Sequence, residues 1–272
     1  MSATVGDVIG VLDARYPPSL AAEWDRVGLV VGDPDAQAVR VLFVVDCVPE
    51  TVREAIDLGA GLIVAHHPLL LRGVSSVATT TYKGRIVHDL IRHGIALHVA
   101  HTNADCAPSG VAEALAETIG LVDIGPLTGD PERDAGRTGR LPVPMRLDAF
   151  AAFVATALPP TGIRAAGVPD RLISRIAVCP GAGDAFLREA RAAGVDAYLT
   201  ADLRHHPASE FLAEPGPALI EASHWATERP WLDRAAAIVG DETGVETLVS
   251  DLATDPWTMH ISWPGSVGVT GK

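Results

Sequence analysis

Strand and helix patterns alternate along this chain, and that alternation most restricts the fold it can adopt. "VRVLFVVD" (residues 39–46) and "GLIVA" (61–65) are apolar runs typical of buried strands. "PETVREAIDLGA" (49–60) lies between them and has a helical pattern, with a proline at its start. Another helix, near residues 84–94, precedes the strand "IALHVA" (95–100). Elements of this length in this order predict an α/β protein with βαβ units and mainly parallel sheets.

A stretch rich in glycine, proline and charge, residues 122–144, interrupts this alternation. We interpret the larger part of this stretch, 128–144, as a hinge between an N-terminal α/β lobe (1–127) and a C-terminal α/β lobe (145–272). The second lobe repeats the alternation, with a helix over 146–158 and strands over 173–179 and 195–200.

Composition narrows the class of protein. The net charge of -13 disfavours a general grip on nucleic acid, which normally needs a basic surface. No apolar run approaches the roughly 20 residues that span a bilayer, and the N-terminal residues lack the pattern of a secretory leader. Three cysteines with no paired spacing suit a reducing compartment. We therefore predict a cytoplasmic protein.

Two adjacent histidines end the strand of "GLIVAHHPLL", where Pro68 stops it. Neighbouring residues in an extended segment point to opposite sides, so His66 and His67 are placed to serve two different ions. Taken alone, the pair is more often a simple strand end.

Two further motifs bring histidine together with a carboxylate. "HTNADCAPSG" follows another strand and carries His101 and Asp105; its alternative role is a turn that caps a helix. In "EASHWATERP", His224 and Glu228 are four residues apart, which places them on one face of a helix about 6 Å apart. A polar pair on a surface helix is the alternative.

The three motifs together favour a metal site over three unrelated coincidences. Five side chains form the predicted ligand set: His66, His67, Asp105, His224 and Glu228. Nitrogen and carboxylate ligands without thiolate suit Zn, Mn, Fe, Ni or Co. Two such ions roughly 3.5–4 Å apart activate water at neutral pH and bind an oxyanion, which predicts hydrolytic chemistry. No residue is assigned to an organic cofactor.

Five strings, in order, resemble the dinuclear-metal-centre hexamer family, whose members are labelled GTP cyclohydrolase I type 2 homologues. They are "WDRVGLVVGDP", "AHHPLL", "HTNADCAPSGVAEALAETIGL", "DAYLTADLRHH" and "SHWATERPWL", and they extend from Trp24 to about Leu232. The family pattern implies the same five metal ligands, with Glu228 bridging two ions. It also includes His101, which we assign with Glu228 to the catalytic residues.

The resemblance implies a two-lobed subunit of the short form, a dinuclear metal site in the cleft between the lobes, and a homohexameric ring. This chain departs from the family at Ser223, where glycine is usual, and at Trp225, which replaces tyrosine or histidine. Ala201 stands where glycine is common. Because Trp225 changes the mouth of the predicted pocket, the family's substrate can be inferred for this chain less well than the family's metal ligands.

Several polar residues near the motifs have two interpretations each. Asp202 either orients a ligand imidazole or caps a helix. His205 and His206 either contact the metal ligands without binding the metal or are exposed to solvent. Asp25 either faces the site or packs an entry loop.

Two functions follow from these expectations. The first is a metal-dependent hydrolase of a nucleotide-like or other small molecule. The alternative is a non-catalytic hexameric scaffold that binds or handles metal. A ring that encircles nucleic acid is disfavoured by the acidic charge.

Overall fold

The computed structural model describes residues 3–130, 134–160 and 162–259. The chain divides into two compact units. The first contains residues 1–114, 130–135 and 228–254, and the second contains 115–129, 136–227 and 255–272. The predicted lobes were 1–127 and 145–272, with a hinge at 128–144; residues 115–127 instead belong to the second unit, and residues 228–254 belong to the first.

The α-helices of the described residues are α1 Val5–Arg15, α2 Pro49–Asp57, α3 Tyr82–His93, α4 Thr102–Cys106, α5 Val111–Thr118, α6 Leu147–Ala157, α7 Leu187–Ala192, α8 His205–Leu212 and α9 His224–Thr243. The strands are β1 Gly28–Val31, β2 Arg40–Asp46, β3 Leu62–His67, β4 Ala96–Val99, β5 Val122–Pro126, β6 Arg137–Arg146, β7 Arg164–Ala166, β8 Leu172–Ala182, β9 Ala197–Ala201, β10 Ala218–Glu221 and β11 Glu246–Val249.

The sheet of the first unit is mainly parallel, as predicted. Its order within the described chain is β1-β4-β3-β2-β11. The pairs β4–β3, β3–β2 and β2–β11 are parallel, and β1 adds an antiparallel edge. Since the three central strands run in the same direction, their carboxyl ends meet at one edge of the sheet.

Local signals explain where the connecting helix α3 begins and ends. Thr81 caps it, because its Oγ1 accepts a hydrogen bond from the Gly84 amide at 3.0 Å. Gly94 ends it with a φ of 65°, a left-handed conformation that glycine adopts without steric cost. The helix thus delivers the chain directly into β4.

The sheet of the second unit departs from the mainly parallel pattern. Its order among the described residues is β5-β6-β8-β9-β10-β7. The pairs β8–β9 and β9–β10 are parallel, but β5–β6, β6–β8 and β10–β7 are antiparallel. The predicted hinge contains most of β6, and antiparallel neighbours can follow one another without a crossover helix. The α/β class and two sheets are confirmed, whereas this sheet is mixed.

Each unit has its own apolar core. In the first, Leu42, Ile63 and Leu97 of the central strands pack with Ile86 and Leu90 of α3. In the second, a larger cluster joins residues of α6 to β8, β9 and β10; it includes Phe150, Val154, Ile176, Leu199 and Ile220. Burial of this kind provides most of the free energy that stabilises each unit.

His98 of β4 makes the stability of the first unit depend on pH. Its side chain is buried, and its Nδ1 has no hydrogen-bond partner within the described chain. Burial lowers the pKa of His98 to about 4, so the folded protein keeps the ring neutral. The unfolded chain, with a pKa near 6.5, takes up a proton as the pH falls, and the stability present above that pH is lost.

We therefore expect His98 to reduce the free energy of unfolding by about 2 kcal/mol between pH 7.5 and pH 5. Urea unfolding of His98→Leu should lack this part of the pH dependence. His88→Leu, which alters an exposed histidine of α3, serves as the control. Equal pH dependence in the wild type and His98→Leu would contradict the assignment.

No helix in the described ranges is both long and apolar enough to cross a membrane.

Candidate metal centre

The carboxyl ends of β2, β3 and β4 bring the first group of polar side chains together. Asp46 ends β2 and pairs in register with His67, which ends β3 directly after His66. His101 follows β4 and precedes the first residue of α4, and Asp105 lies within that helix. This is the edge where open α/β sheets gather their ligands. The strand ends therefore position four of the predicted site residues, together with Asp46.

Each of the three imidazoles is held through its Nδ1 atom. The Nδ1 partners are the Ala100 carbonyl for His66 at 2.9 Å, Asp46 Oδ1 for His67 at 2.8 Å and Asp25 Oδ1 for His101 at 2.8 Å. A metal-binding histidine typically donates one ring N–H to an oxygen in this way, which fixes its tautomer and frees the other nitrogen. Ligand atoms of the three rings lie within 4.8 Å of one another.

Glu228 of α9 contributes a buried carboxylate to this group. Its Oε1 lies 3.5 Å from His66 Nε2, and its Oε2 lies 3.0 Å from His67 Nε2. Asp105 Oδ1 lies 3.6 Å from the same His66 nitrogen. Glu228 is 3% exposed and His66 is fully buried. Two carboxylates thus approach one imidazole nitrogen in a region that excludes water.

The His66 ring tests whether a cation fits here. Its Nδ1 faces a carbonyl, which can only accept, so Nδ1 carries the proton. Nε2 is the ring nitrogen left to bind a cation, and it is buried and without a hydrogen-bond partner among the described residues. It faces the oxygens of Asp105 and Glu228. A ring nitrogen and two carboxylates that converge in a buried place form a donor set that suits a divalent ion.

The protonation of His67 shows the same need for positive charge. Burial alone lowers the pKa of His67, but the carboxylates of Glu228 and Asp46 outweigh burial and raise it well above its usual value. Burial also raises the pKa of Asp46, but the hydrogen bond and charge of His67, together with the hydrogen bond from Thr254, outweigh burial and lower the pKa below its usual value. Without a metal, the cluster holds a proton where an ion would otherwise neutralise it.

Residues 3–256 match the sequence profile of the family described as Duf34/NIF3 (NGG1p interacting factor 3). The chain belongs to the Duf34/NIF3 family. A Streptomyces coelicolor relative, named "GTP cyclohydrolase 1 type 2 homolog", is 50% identical over 270 residues, which cover 95% of each chain. The resemblance expected from the motifs is therefore confirmed, and the two proteins are of similar length, as expected of the short form.

Two solved structures have the same fold as this chain. A hypothetical protein from Staphylococcus aureus is 27% identical, with a TM-score of 0.87 over 96% of this chain and 100% of its own. A NIF3-related protein from Bacillus cereus has a TM-score of 0.87 over 95% of this chain and 99% of its own. At 23% identity, the second likeness concerns the fold alone.

Asp25 has the clearest supporting role in this Duf34/NIF3 chain. Its carboxylate accepts hydrogen bonds from His101 Nδ1 and from the amide and hydroxyl of Thr102. Burial by itself would raise the pKa of Asp25. These hydrogen bonds together outweigh burial, so the pKa lies well below its usual value and the carboxyl group stays ionised. Of its two interpretations, the structure supports a contact with the histidine cluster.

His224 and Asp202 form a matching pair in the second unit. His224 is the first residue of α9, one turn before Glu228, and its Nδ1 lies 2.7 Å from Asp202 Oδ2. Asp202 follows β9 with a φ of 53°, and its carboxylate orients an imidazole as the first interpretation holds. His205 and His206 are exposed at the start of α8, in agreement with their solvent-exposed interpretation.

Asp46 was not predicted from the sequence. It follows the apolar run "VLFVV" just as His66 and His67 follow "LIVA", and this equivalent position was the available signal. Trp231 was also missed; its ring centroid lies 5.5 Å from that of His66. Nothing in the chain order indicated that contact before the fold was known.

We expect Asp46→Asn to weaken metal binding by roughly 10–100-fold, the usual effect of removing a residue that hydrogen-bonds to a metal ligand. The amide lacks the negative charge that holds His67 and makes its ring more basic. Competition with a chelator measures the affinity, and Asp35→Asn changes an exposed carboxylate of the same unit as a control. Equal affinity in Asp46→Asn and the wild type would remove Asp46 from the site.

Proposed function

We propose that this protein is a dinuclear metal-dependent hydrolase of a nucleotide-like or other small molecule. The observation that carries the proposal is the buried His66 Nε2, which faces Asp105 and Glu228 and has no hydrogen-bond partner among the described residues. Membership of a family with relatives named "GTP cyclohydrolase 1 type 2 homolog" supports the same direction.

The proposed ligands are His66, His67, Asp105, His224 and Glu228, holding two ions of Zn, Mn, Fe, Ni or Co. Glu228 is proposed as the bridge, because its two oxygens approach different histidines. His224 precedes Glu228 by one helical turn, a spacing at which two side chains on one helix face can converge.

The residues around the proposed ligands hold the histidine rings in place or carry a proton. When bound, a pair of divalent ions supplies water activation at neutral pH and positive charge for an oxyanion. Asp25 fixes the ring of His101 through Nδ1 and leaves the other nitrogen to hold or transfer a proton. Trp231 lies against His66 and keeps bulk water from that side of the ring.

Turnover assays on protein purified without chelator or affinity nickel test the proposal. The protein is stripped, loaded separately with each of the five metals, and supplied with nucleotides, including GTP, and simple phosphoesters. We expect activity that disappears on stripping and returns with metal. Full loading with no turnover across the panel would contradict a hydrolase; ready release of ions to a chelator would then favour the metal-handling scaffold.

We also propose a homohexameric ring in the cytoplasm, as the family resemblance and cysteine usage imply. Cys47, Cys106 and Cys179 are all buried. Light scattering coupled to size-exclusion chromatography measures the mass of the assembly, and a monomeric mass would contradict the ring.

A further inference from the structure

Trp24 is an exposed aromatic side chain beside the histidine cluster. It is 58% exposed, although the next residue, Asp25, is buried. Its ring centroid lies 6.0 Å from that of His101, with the two planes at 78°. An indole left open to water forgoes much of the hydrophobic stabilisation that burial gives other tryptophans, such as Trp231.

The segment that carries Trp24 is held in place on both sides. The Ala22 amide donates to Thr102 Oγ1 at 2.9 Å, and the Asp25 amide donates to the Ala22 carbonyl at 2.9 Å. The Thr102 amide in turn donates to Asp25 Oδ2 at 3.0 Å. Because these bonds tie the turn to the residue after His101, little further ordering is needed when a ligand meets the indole.

We propose that Trp24 is a stacking platform for a planar heteroaromatic ring of the nucleobase kind. The stacked ring would be the base of a small molecule, and the sugar or phosphate oxygens of that molecule would reach the cluster of His66, His67 and His101. The inference rests on the proposed function and specifies its substrate class. An indole face suits any base, because every base has a π-face, and such stacking contributes about 1–3 kcal/mol, or roughly 5–150-fold in affinity.

Calorimetric titration of the metal-loaded protein with GMP and with ribose 5-phosphate tests the platform. The two probes share the sugar and phosphate and differ in the base. We expect GMP to bind at least about fivefold more tightly than ribose 5-phosphate. Trp24→Ala and Trp24→Leu should lose that difference without changing ribose 5-phosphate binding, whereas Trp24→Phe should retain most of it.

Trp257→Ala, which removes another exposed tryptophan, should bind GMP as the wild type does. Elemental analysis should give the same metal content in every variant. Equal binding of the two probes by the wild type would overturn the proposal, as would unchanged GMP binding in Trp24→Leu or loss of metal in both the Ala and Leu variants.

The platform and the hydrolase fail in different ways. GMP binding that depends on Trp24, without turnover of any substrate, would remove the hydrolase and leave the platform. Metal-dependent turnover that is unaffected in Trp24→Leu, with no preference for GMP, would leave the hydrolase and remove the platform.

Discussion

Glu228→Gln is expected to release metal from the histidine cluster and abolish turnover while the protein still folds. Glutamine has the size of glutamate but lacks the charge that faces both His66 and His67. The loss of metal affinity should exceed the roughly 10–100-fold caused by removing a residue that only hydrogen-bonds to a metal ligand. The metal-free fold should tolerate the change, because glutamine fills the same space and His67 keeps its contact with Asp46.

Elemental analysis and thermal unfolding with and without metal measure both effects. Wild-type protein should gain about 2.7 kcal/mol of stability at a metal concentration 100 times its dissociation constant, and Glu228→Gln should gain almost none. Glu242→Gln is the matched control, since Glu242 lies on the same helix but pairs with Arg15 at the surface. Full metal content and activity in Glu228→Gln would remove this residue from the site.

Trp231→Ala is expected to lower the free energy of unfolding by about 3–5 kcal/mol, the usual result of truncating a fully buried tryptophan. Trp231 is completely buried, and its ring lies against Tyr16, at 5.4 Å between centroids, and against His66. Its loss leaves a cavity on one side of the His66 ring, so metal affinity should fall as well.

Thermal unfolding of the metal-free variant separates packing from metal binding. Trp257→Ala is the control, because a side chain that is 74% exposed should change stability by no more than about 0.5 kcal/mol. Similar melting temperatures for Trp231→Ala and the control would show that Trp231 is not part of the packing that supports His66.

The strand ends that carry the site were predictable from the sequence. The apolar runs that end at His67 and before His101 predicted two strands. The predicted parallel arrangement places the carboxyl ends of these strands at one edge of the sheet. Hydrophobic periodicity is a local property, so it locates elements well. The position of the motif "HTNAD" directly after a strand is therefore predictable from the sequence alone.

Long-range pairing was not predictable in the same way. β11 pairs with β2, although the two strands are about 200 residues apart in the chain, and no local pattern indicates that return. The Asp46–His67 contact depends on the register of β2 and β3, which tertiary packing sets. The antiparallel pairing of β5 with β6 was not predicted, because glycine, proline and charge in residues 122–144 are typical of a hinge.

Anomalous X-ray diffraction from crystals of metal-loaded protein is the sharpest test of a dinuclear centre at His66 and His67. We expect two peaks per subunit, one bonded to His66 Nε2 and one to His67 Nε2, with Glu228 contacting both. Fully loaded crystals with no anomalous peak within bonding distance of His66 Nε2 would contradict this expectation.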